Sequence, residues 1–300
     1  MLTKMYPVNG PLDLRRTLAP LSHGPGDQTI RLGQGQAWRA TRTLDGPAAI
    51  EFVHADDELR VTAFGPGAER ALADVPGLLG LTTERLPIPA GHPLVARLAH
   101  IHPGVRIPRT GAILESLIPA ILEQKVTGQE ASRAWVGLIR AHGEAAPGPS
   151  EWRLRLSPAP ATLAALPYYD YHPFGIERRR AELIRRVAAR AAWFEAIVDL
   201  PLVDAHARLM AVPGIGPWTA AEVAVRALGD DDAVSVGDFH LKNLVAFALA
   251  GETRGTDERM LELLEPYRGQ RARVIRLLEL SGLRAPRYGP RLAPQRFERF

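Results

Sequence analysis

A short turn and a distant carboxylate are the features of this sequence whose residue types could carry chemistry. Val212-Pro213-Gly214-Ile215-Gly216 separates two segments with apolar residues at helical spacing, and Asp238 follows 22 positions after Gly216. The pattern predicts a tight hairpin between two helices, in which two glycines leave backbone N–H groups uncovered at the start of the second helix. Such N–H groups form a site for anions, and a phosphate suits it well. A carboxylate at a fixed distance indicates a reaction beside a bound phosphate backbone.

The composition of the chain limits what kind of site this can be. Its 300 residues include no cysteine, which excludes disulfides, thiolate zinc sites and a cysteine-ligated iron–sulfur cluster. The net charge of +4 favours an anionic partner, although an arginine bias alone would give the same balance. No dinucleotide or phosphate-loop motif and no zinc-type histidine pair occurs, so we expect no organic cofactor. Neither a membrane span nor an export signal is visible, so we expect a cytoplasmic protein with no membrane partner.

The elements that must position the turn and the carboxylate begin with a small sheet. Three short β-leaning stretches, punctuated by Gly46-Pro47 and Asp56-Asp57, lie at 37–44, 48–54 and 59–64. This spacing predicts an antiparallel meander. Segments 12–21 and 67–73 are predicted to be helices.

After a Pro-rich linker at 86–93, the pattern changes to helices. Apolar residues recur at helical spacing in the segments 113–122, 183–191, 203–210, 219–228, 239–250, 257–265 and 270–280. We therefore predict an α+β protein. It has a small N-terminal antiparallel β-sheet domain with helices over 1–88, an all-α body over 89–283, and an Arg- and Pro-rich tail over 284–300.

The turn, Asp238 and the segment 120–127 (Ala-Ile-Leu-Glu-Gln-Lys-Val-Thr) resemble the helix-hairpin-helix DNA glycosylases. The order of sheet and helices resembles the alkylpurine branch of that superfamily. The resemblance implies a monomeric base-excision-repair enzyme that flips a damaged purine, such as 3-methyladenine, out of double-stranded DNA and hydrolyses its N-glycosidic bond. It also implies that the amides of Gly214, Gly216 and Thr219 bind the DNA strand without reading bases.

Asp238 matches the catalytic carboxylate of this family. Such a carboxylate stabilises the oxocarbenium-like sugar and orients or deprotonates the attacking water. The structural alternative is that Asp238 caps the helix that follows it. Asp230, Asp231 and Asp232 are a weaker carboxylate candidate, because their run is typical of a solvated loop. Bifunctional relatives carry a Schiff-base lysine where this chain has Trp218, so the resemblance implies a monofunctional enzyme that leaves an abasic site.

Two further sets of positions match parts of the family that contact DNA or a cation. Gln124 and Lys125 match the residues that fill the gap left by the extruded base. The family often has an apolar wedge there, and an ordinary polar helix end is the structural alternative. Family hairpins also hold a monovalent cation through backbone carbonyls, and the matching positions are Met210, Val212 and Ile215.

The predicted base pocket contains the clearest departures from the family. Trp218 and Phe239 match aromatic positions that stack an electron-poor base. Glu222 and Arg276 stand where aromatics are common. A carboxylate at 222 either contacts the base or pairs with Arg226, four residues further along a helix.

Three other functions stay open. An oxidised-purine or other-lesion glycosylase is one, although that branch normally uses the lysine that Trp218 replaces. A non-catalytic helix-hairpin-helix DNA-binding module is the second, although binding alone needs no carboxylate facing a polyanion. A helical scaffold protein without a nucleic-acid partner is the third, and salt-dependent DNA binding would exclude it.

Overall fold

The N-terminal part of the chain forms one antiparallel sheet in the strand order β1-β5-β4-β3-β2. The structure is a computed structural model that describes residues 1–55, 57–81 and 86–286. The strands are β1 (Leu2–Pro7), β2 (Ile30–Leu32), β3 (Gln36–Thr43), β4 (Gly46–Ala55) and β5 (Glu58–Phe64). Consecutive pairing from β2 to β5 agrees with the predicted meander, and β1 adds an unpredicted edge strand beside β5.

One face of the sheet is buried under α1 (Leu14–Leu18) and α2 (Ala68–Leu78). Along β5, Leu59 and Val61 are fully buried and alternate with more exposed neighbours, the period expected of a strand with one covered face. They pack with Leu72 and Val75 of α2 in a hydrophobic core of their own. This part of the fold therefore owes its stability to its own sheet-and-helix core.

The rest of the described chain is dominated by helices. They are α3 (Pro93–Ile101), α4 (Ile113–Leu122), α5 (Gly128–His142), α6 (Pro160–Ala165), α7 (Arg178–Ala188), α8 (Ala191–Glu195), α9 (Leu202–Met210), α10 (Pro217–Val223), α11 (Leu241–Ala250), α12 (Asp257–Leu264) and α13 (Arg271–Leu280). Each segment with predicted helical spacing contains a helix, which confirms the α+β class. None of the helices in the described ranges has the length and apolar composition to cross a bilayer. Asp56 and the predicted tail from residue 287 onwards lie outside the described residues.

The helices enclose two hydrophobic cores, and the candidate site lies where they meet. The larger core is built by helices between residues 113 and 233, including α4, α7, α9 and α10. The smaller core joins α3 to α11, α12 and α13. Trp218 belongs to a helix of the first core, and Asp238 lies on the connection that leads into the second. The fold thus brings the two residues together at the junction.

Candidate active site

The hairpin between α9 and α10 is a type II β-turn. The Ile215 N–H donates to the Val212 carbonyl at 3.0 Å, and Gly214 at the third turn position has a φ of +100°. Type II turns require a positive φ there, and proline suits the second position, which is Pro213. A Cβ on Gly214 would also lie 3.0 Å from the Leu183 side chain of α7. Pro-Gly therefore fixes the shape of the turn, and the missing side chain lets it rest closely on α7.

The start of α10 is open to an approaching ligand. Gly216 is its N-cap residue, and no heavy atom of the described chain, immediate neighbours aside, lies within 4 Å of the position that a Cβ would take. Pro217 occupies the first helical position, where a missing N–H removes no helix hydrogen bond. A phosphate can therefore approach this backbone without meeting a side chain.

Gln124 connects the end of α4 to the hairpin. Its Nε2 donates to the Gly214 carbonyl at 3.0 Å and to the Thr219 hydroxyl at 2.9 Å. The Thr219 side chain is buried, so this contact is part of the packing between α4 and α10. In the structure the amide of Gln124 positions the hairpin, a role that the motif match alone did not indicate.

Lys125 follows Gln124 just after the end of α4, and its backbone is strained. Its φ of +55° lies in the left-handed region, and Arg153 is the other non-glycine residue with a positive φ in the described ranges. This conformation costs a residue with a Cβ about 1–2 kcal/mol. The Lys125 side chain is exposed and makes no hydrogen bond or ion pair with the described residues. Thr127 and Glu130 form a capping box directly afterwards, so the strained tip is followed by a well-anchored helix start.

Asp238 is held through both of its carboxylate oxygens. Oδ1 accepts the backbone N–H groups of His240 and Leu241, both at 2.7 Å, at the start of α11. Oδ2 accepts the indole N–H of Trp218 at 3.2 Å. The capping role considered from the sequence is therefore present. It is compatible with chemistry, because a carboxylate oxygen that accepts one hydrogen bond can accept another from a water molecule.

Trp218, which contacts the carboxylate, and Phe239, which follows Asp238 in the chain, have different environments. Trp218 is half-buried, and its N–H orients Asp238. Phe239 is 76% exposed, and its ring meets His240 edge-on with centroids 4.9 Å apart. An exposed aromatic ring on the residue that follows the oriented carboxylate offers a surface on which a planar base could stack.

Glu222 is part of an ion-pair network one helical turn beyond Trp218. Arg226 Nη1 and Ser235 Oγ both donate to its carboxylate, so the predicted pairing with Arg226 is present. Arg226 lies in a π-helical turn that directly follows α10, and its Nε donates to the Pro20 carbonyl at 2.9 Å. Burial acts to lower the pKa of the Arg226 guanidinium, but the carboxylates of Glu222 and Glu123 outweigh it and hold that pKa above its usual value.

Arg276 makes its contacts away from the carboxylate of Asp238. Its Nη1 donates to Glu279 at 3.1 Å, and its Nη2 donates to the Arg16 carbonyl at 3.0 Å. It also lines a cavity of about 420 Å³ between the linker and α13. The structure therefore brings Trp218 to Asp238, whereas Arg276 ties α13 to the N-terminal part.

Backbone carbonyls of the hairpin fit the oxygen-rich environment that a monovalent cation prefers. Within the described chain, the carbonyls of Met210 and Ile215 accept no backbone hydrogen bond, and the Val212 carbonyl accepts only that of the turn. Carbonyls at the end of a helix such as α9 also carry partial negative charge. These three positions could therefore hold the cation that the resemblance implies.

The interpretation of Asp230 to Asp232 as a solvated loop was wrong. Asp230 is only 7% exposed, and one of its oxygens lies 2.9 Å from His206 Nε2. Asp232 accepts the N–H groups of Gly269 and Arg271 and so covers the start of α13. Both carboxylates are used in contacts within the fold, so neither replaces Asp238 as the candidate catalytic group.

Two residues that the sequence did not single out fix the position of α4. Glu195 accepts the N–H groups of Ile113 and Leu114 at 2.8 and 3.0 Å, and Arg180 donates to the Leu122 carbonyl at 2.8 Å. Burial raises the pKa of Glu195 to about 6. The one available signal was local: the residue before α4 is an alanine, which cannot cap a helix.

The sequence of this chain is similar to those of two DNA repair proteins. No family model matches the chain. It is 32% identical over 142 residues to the probable bifunctional transcriptional activator/DNA repair enzyme AlkA of Mycobacterium tuberculosis, covering 47% of this chain and 28% of that protein. It is 27% identical over 176 residues to DNA-3-methyladenine glycosylase 2 of Escherichia coli, covering 58% of this chain and 60% of that protein. The matches thus span less than two thirds of these relatives.

A solved structure extends the similarity to nearly the whole fold. The 3-methyladenine DNA-glycosylase of Archaeoglobus fulgidus superposes with a TM-score of 0.76 at 18% identity, covering 92% of this chain and 97% of that one. At this identity the agreement concerns the fold. The chain therefore has the fold of this glycosylase, and over part of its length its sequence is similar to AlkA and to DNA-3-methyladenine glycosylase 2.

Proposed function

We propose that this chain is a monofunctional DNA glycosylase of base excision repair that removes alkylated purines, such as 3-methyladenine, from double-stranded DNA. The observation that carries the proposal is the hydrogen bond from Trp218 Nε1 to Asp238 Oδ2. Trp218 is the second residue of α10, so one side chain links the open helix start to the carboxylate. The names of the relatives and the fold support the same activity.

The proposed reaction starts with the DNA backbone at the hairpin. The amides of Gly214, Gly216 and Thr219 bind a phosphate, and the carbonyls of Met210, Val212 and Ile215 would hold a monovalent cation that would supply positive charge there. Lys125 fills the gap that the extruded nucleotide leaves in the duplex. Extrusion is easiest at a damaged pair, which contributes to selectivity.

Asp238 performs the chemical role. As the bond between the sugar and the base breaks, positive charge develops on the sugar, and a fixed carboxylate nearby stabilises it. The same carboxylate orients the attacking water. An alkylated purine leaves easily because it already carries positive charge, and the exposed face of Phe239 suits such an electron-poor ring. Glu222, one helical turn beyond Trp218, belongs to the proposed base pocket, where Arg226 balances its charge.

The absence of a lysine at the hairpin supports hydrolysis over a Schiff-base mechanism. Trp218 stands where bifunctional relatives carry that lysine. Lys242 Nζ lies 3.5 Å from Asp257, and Lys125 is at the tip beyond α4. The expected product is an abasic site in an intact strand. We propose that the enzyme acts as a monomer on chromosomal DNA in the cytoplasm and needs no organic cofactor.

One observation favours a second candidate, a non-catalytic DNA-binding module. Oδ1 of Asp238 covers the first N–H groups of α11, a role that a purely structural residue would also fill. In that case the hairpin would bind DNA and the carboxylate would only stabilise the fold.

Base release from methylated duplex DNA separates the two candidates. The proposed enzyme releases methylpurines, and Asp238→Asn loses release while it still binds DNA that contains an abasic-site analogue. Tight binding by the wild-type protein without release of any methylated base would refute the proposed activity and favour the binding module or another lesion.

A further inference from the structure

Two exposed arginines of α7 lie close in the helix to Leu183, the residue on which the hairpin turn rests. Arg179 and Arg186 are exposed and stand four residues before and three residues after Leu183. Positions with these spacings are neighbours on one helix surface. Leu183 is also the side chain on which Gly214 rests. The turn that carries the proposed phosphate site therefore rests on the stretch of α7 between these two arginines.

Arg186 is joined to the turn itself. Its Nη2 donates to the Pro213 carbonyl at 3.1 Å, next to Gly214. A guanidinium group carries five N–H donors, so four stay available to a second partner. The nearby carboxylate of Glu182 is bonded at 2.7 Å to Arg178 and not to Arg186. Arg186 is thus held beside the hairpin with most of its donors unused.

The side chain of Arg179 makes fewer contacts within the protein than that of Arg186. Within the described ranges it forms no hydrogen bond, ion pair or aromatic contact through its guanidinium. Arg186 lies seven positions further along the helix, which corresponds to about 10.5 Å along a helix axis. The two groups are therefore far enough apart to reach different anions on either side of the turn.

We propose that Arg179 and Arg186 bind backbone phosphates of the DNA strand on either side of the phosphate held by the hairpin. This inference rests on the proposed DNA-binding function and extends it to a surface outside the motif. Guanidinium groups suit phosphate because their planar fork donates two parallel hydrogen bonds. Contacts of this kind fix the register of the DNA and carry no base preference.

The same helix supplies a matched control. Arg178 is also exposed, but its Nε donates to Glu182 and its guanidinium lies 4.7 Å from the centre of the Tyr168 ring. Its charge is already balanced within the protein. Arg178→Ala therefore changes the number of arginines on α7 without removing a guanidinium that faces the hairpin.

The test measures how DNA affinity depends on salt. The full chain is titrated with a fluorescent duplex that contains an abasic-site analogue, at KCl concentrations from about 50 to 200 mM. Each phosphate contact contributes about 0.9 to the slope of log K against log[KCl]. We expect Arg179→Ala and Arg186→Ala each to lower the slope by about that amount, the double variant by about twice it, and Arg178→Ala to keep the wild-type slope.

A further variant separates the charge of Arg186 from its hydrogen bond to the hairpin. Arg186→Gln keeps an N–H donor for the Pro213 carbonyl but removes the charge, so we expect it to lose as much slope as Arg186→Ala. A wild-type slope in Arg186→Gln, or in both alanine variants, would overturn the inference while base release by the wild-type protein still supported the proposed function. A wild-type protein that neither binds DNA nor releases bases would overturn both.

Discussion

Trp218 Nε1 donates to Asp238 Oδ2 at 3.2 Å across the junction between the two helical cores. The donor is in the first turn of the helix that follows the hairpin, and the acceptor covers the start of α11 with its other oxygen. Movement of either helix would alter the direction of the carboxylate. The hydrogen bond therefore couples the proposed grip on DNA to the proposed chemistry.

Replacing Asp238 with asparagine should abolish most base release with little effect on folding. The amide oxygen of asparagine can still accept the N–H groups of His240 and Leu241, whereas the negative charge is lost. We expect the single-turnover rate on methylated duplex DNA to fall about 10²–10⁴-fold. The melting temperature should change by a few degrees at most.

Asp257→Asn is the matched control for that experiment. Asp257 is another carboxylate of this region, and it accepts the Gly237 N–H at 3.1 Å. We expect it to retain most of the wild-type rate. Equal losses in the two variants would show that Asp238 acts through the fold and not on the substrate.

Trp218→Phe removes the indole N–H and keeps an aromatic ring. A hydrogen bond to a charged group contributes about 1.5–3 kcal/mol. Because this one orients Asp238, we expect the rate of base release at saturating DNA to fall about 10-fold or more. Trp218→Leu removes the ring as well and should lose more, because stacking is then also absent. If Trp218→Phe cleaves at the wild-type rate in single-turnover measurements, the hydrogen bond has no part in catalysis.

Lys125→Gly should separate stability from base extrusion. Glycine adopts a positive φ without steric cost, so we expect the free energy of unfolding in urea to rise by up to about 1 kcal/mol. The same variant lacks the side chain that fills the gap, so extrusion should weaken, as read from the fluorescence of 2-aminopurine placed beside the lesion.

Arg153→Gly relieves the other positive φ of a non-glycine residue in the described chain and is the control for Lys125→Gly. It should gain stability and leave extrusion unchanged. Normal extrusion by Lys125→Gly would show that the Lys125 side chain does not fill the gap left by the extruded nucleotide.

The stability of the protein should depend on pH through Glu195. Burial raises its pKa to about 6, although the N–H groups of Leu114 and Ile113 act in the opposite direction. An unfolded glutamate titrates near 4.5, so between these values the folded state binds more protons. The free energy of unfolding therefore falls as pH rises through this window. The contribution lost by pH 7 is about 1–2 kcal/mol.

Glu195→Gln removes that titration and is the comparison that isolates it. Urea unfolding of both proteins from pH 4.5 to 7 gives the free energy of unfolding of each. The difference between the two values cancels the contributions of the other titrating groups. As the pH rises from 4.5 to 7, we expect the free energy of unfolding of the wild-type protein to fall relative to that of Glu195→Gln. Parallel pH profiles would mean that Glu195 titrates as it does in the unfolded chain.

Local sequence was a good guide wherever one side of an element is buried. The β-leaning residues at 59–64 predicted β5. The apolar spacing in 113–122 and 270–280 predicted α4 and α13, since that pattern shows which face meets the core. The strand β1 escaped prediction because Tyr6 is its one buried residue, so an edge strand of this kind shows no alternation. The three residues of β2 are too few to show a period.

The sequence by itself determined the chemistry that is local in the chain. Pro213 and Gly214 specify a type II turn, Gly216 leaves the next helix start uncovered, and Asp238 stands where it can cover a helix and present a carboxylate. These features depend on backbone preferences within a few residues, so residue type and spacing are enough to predict them.

Only the tertiary structure decided which distant groups serve that site. Gln124 reaches the Gly214 carbonyl across 90 residues, and the Arg226 side chain reaches Pro20 across 206. Arg186 meets the turn because Leu183 packs under Gly214. Such partners depend on how helices pack into two cores and on which buried donors then need an acceptor, and neither is encoded in the preferences of a short segment.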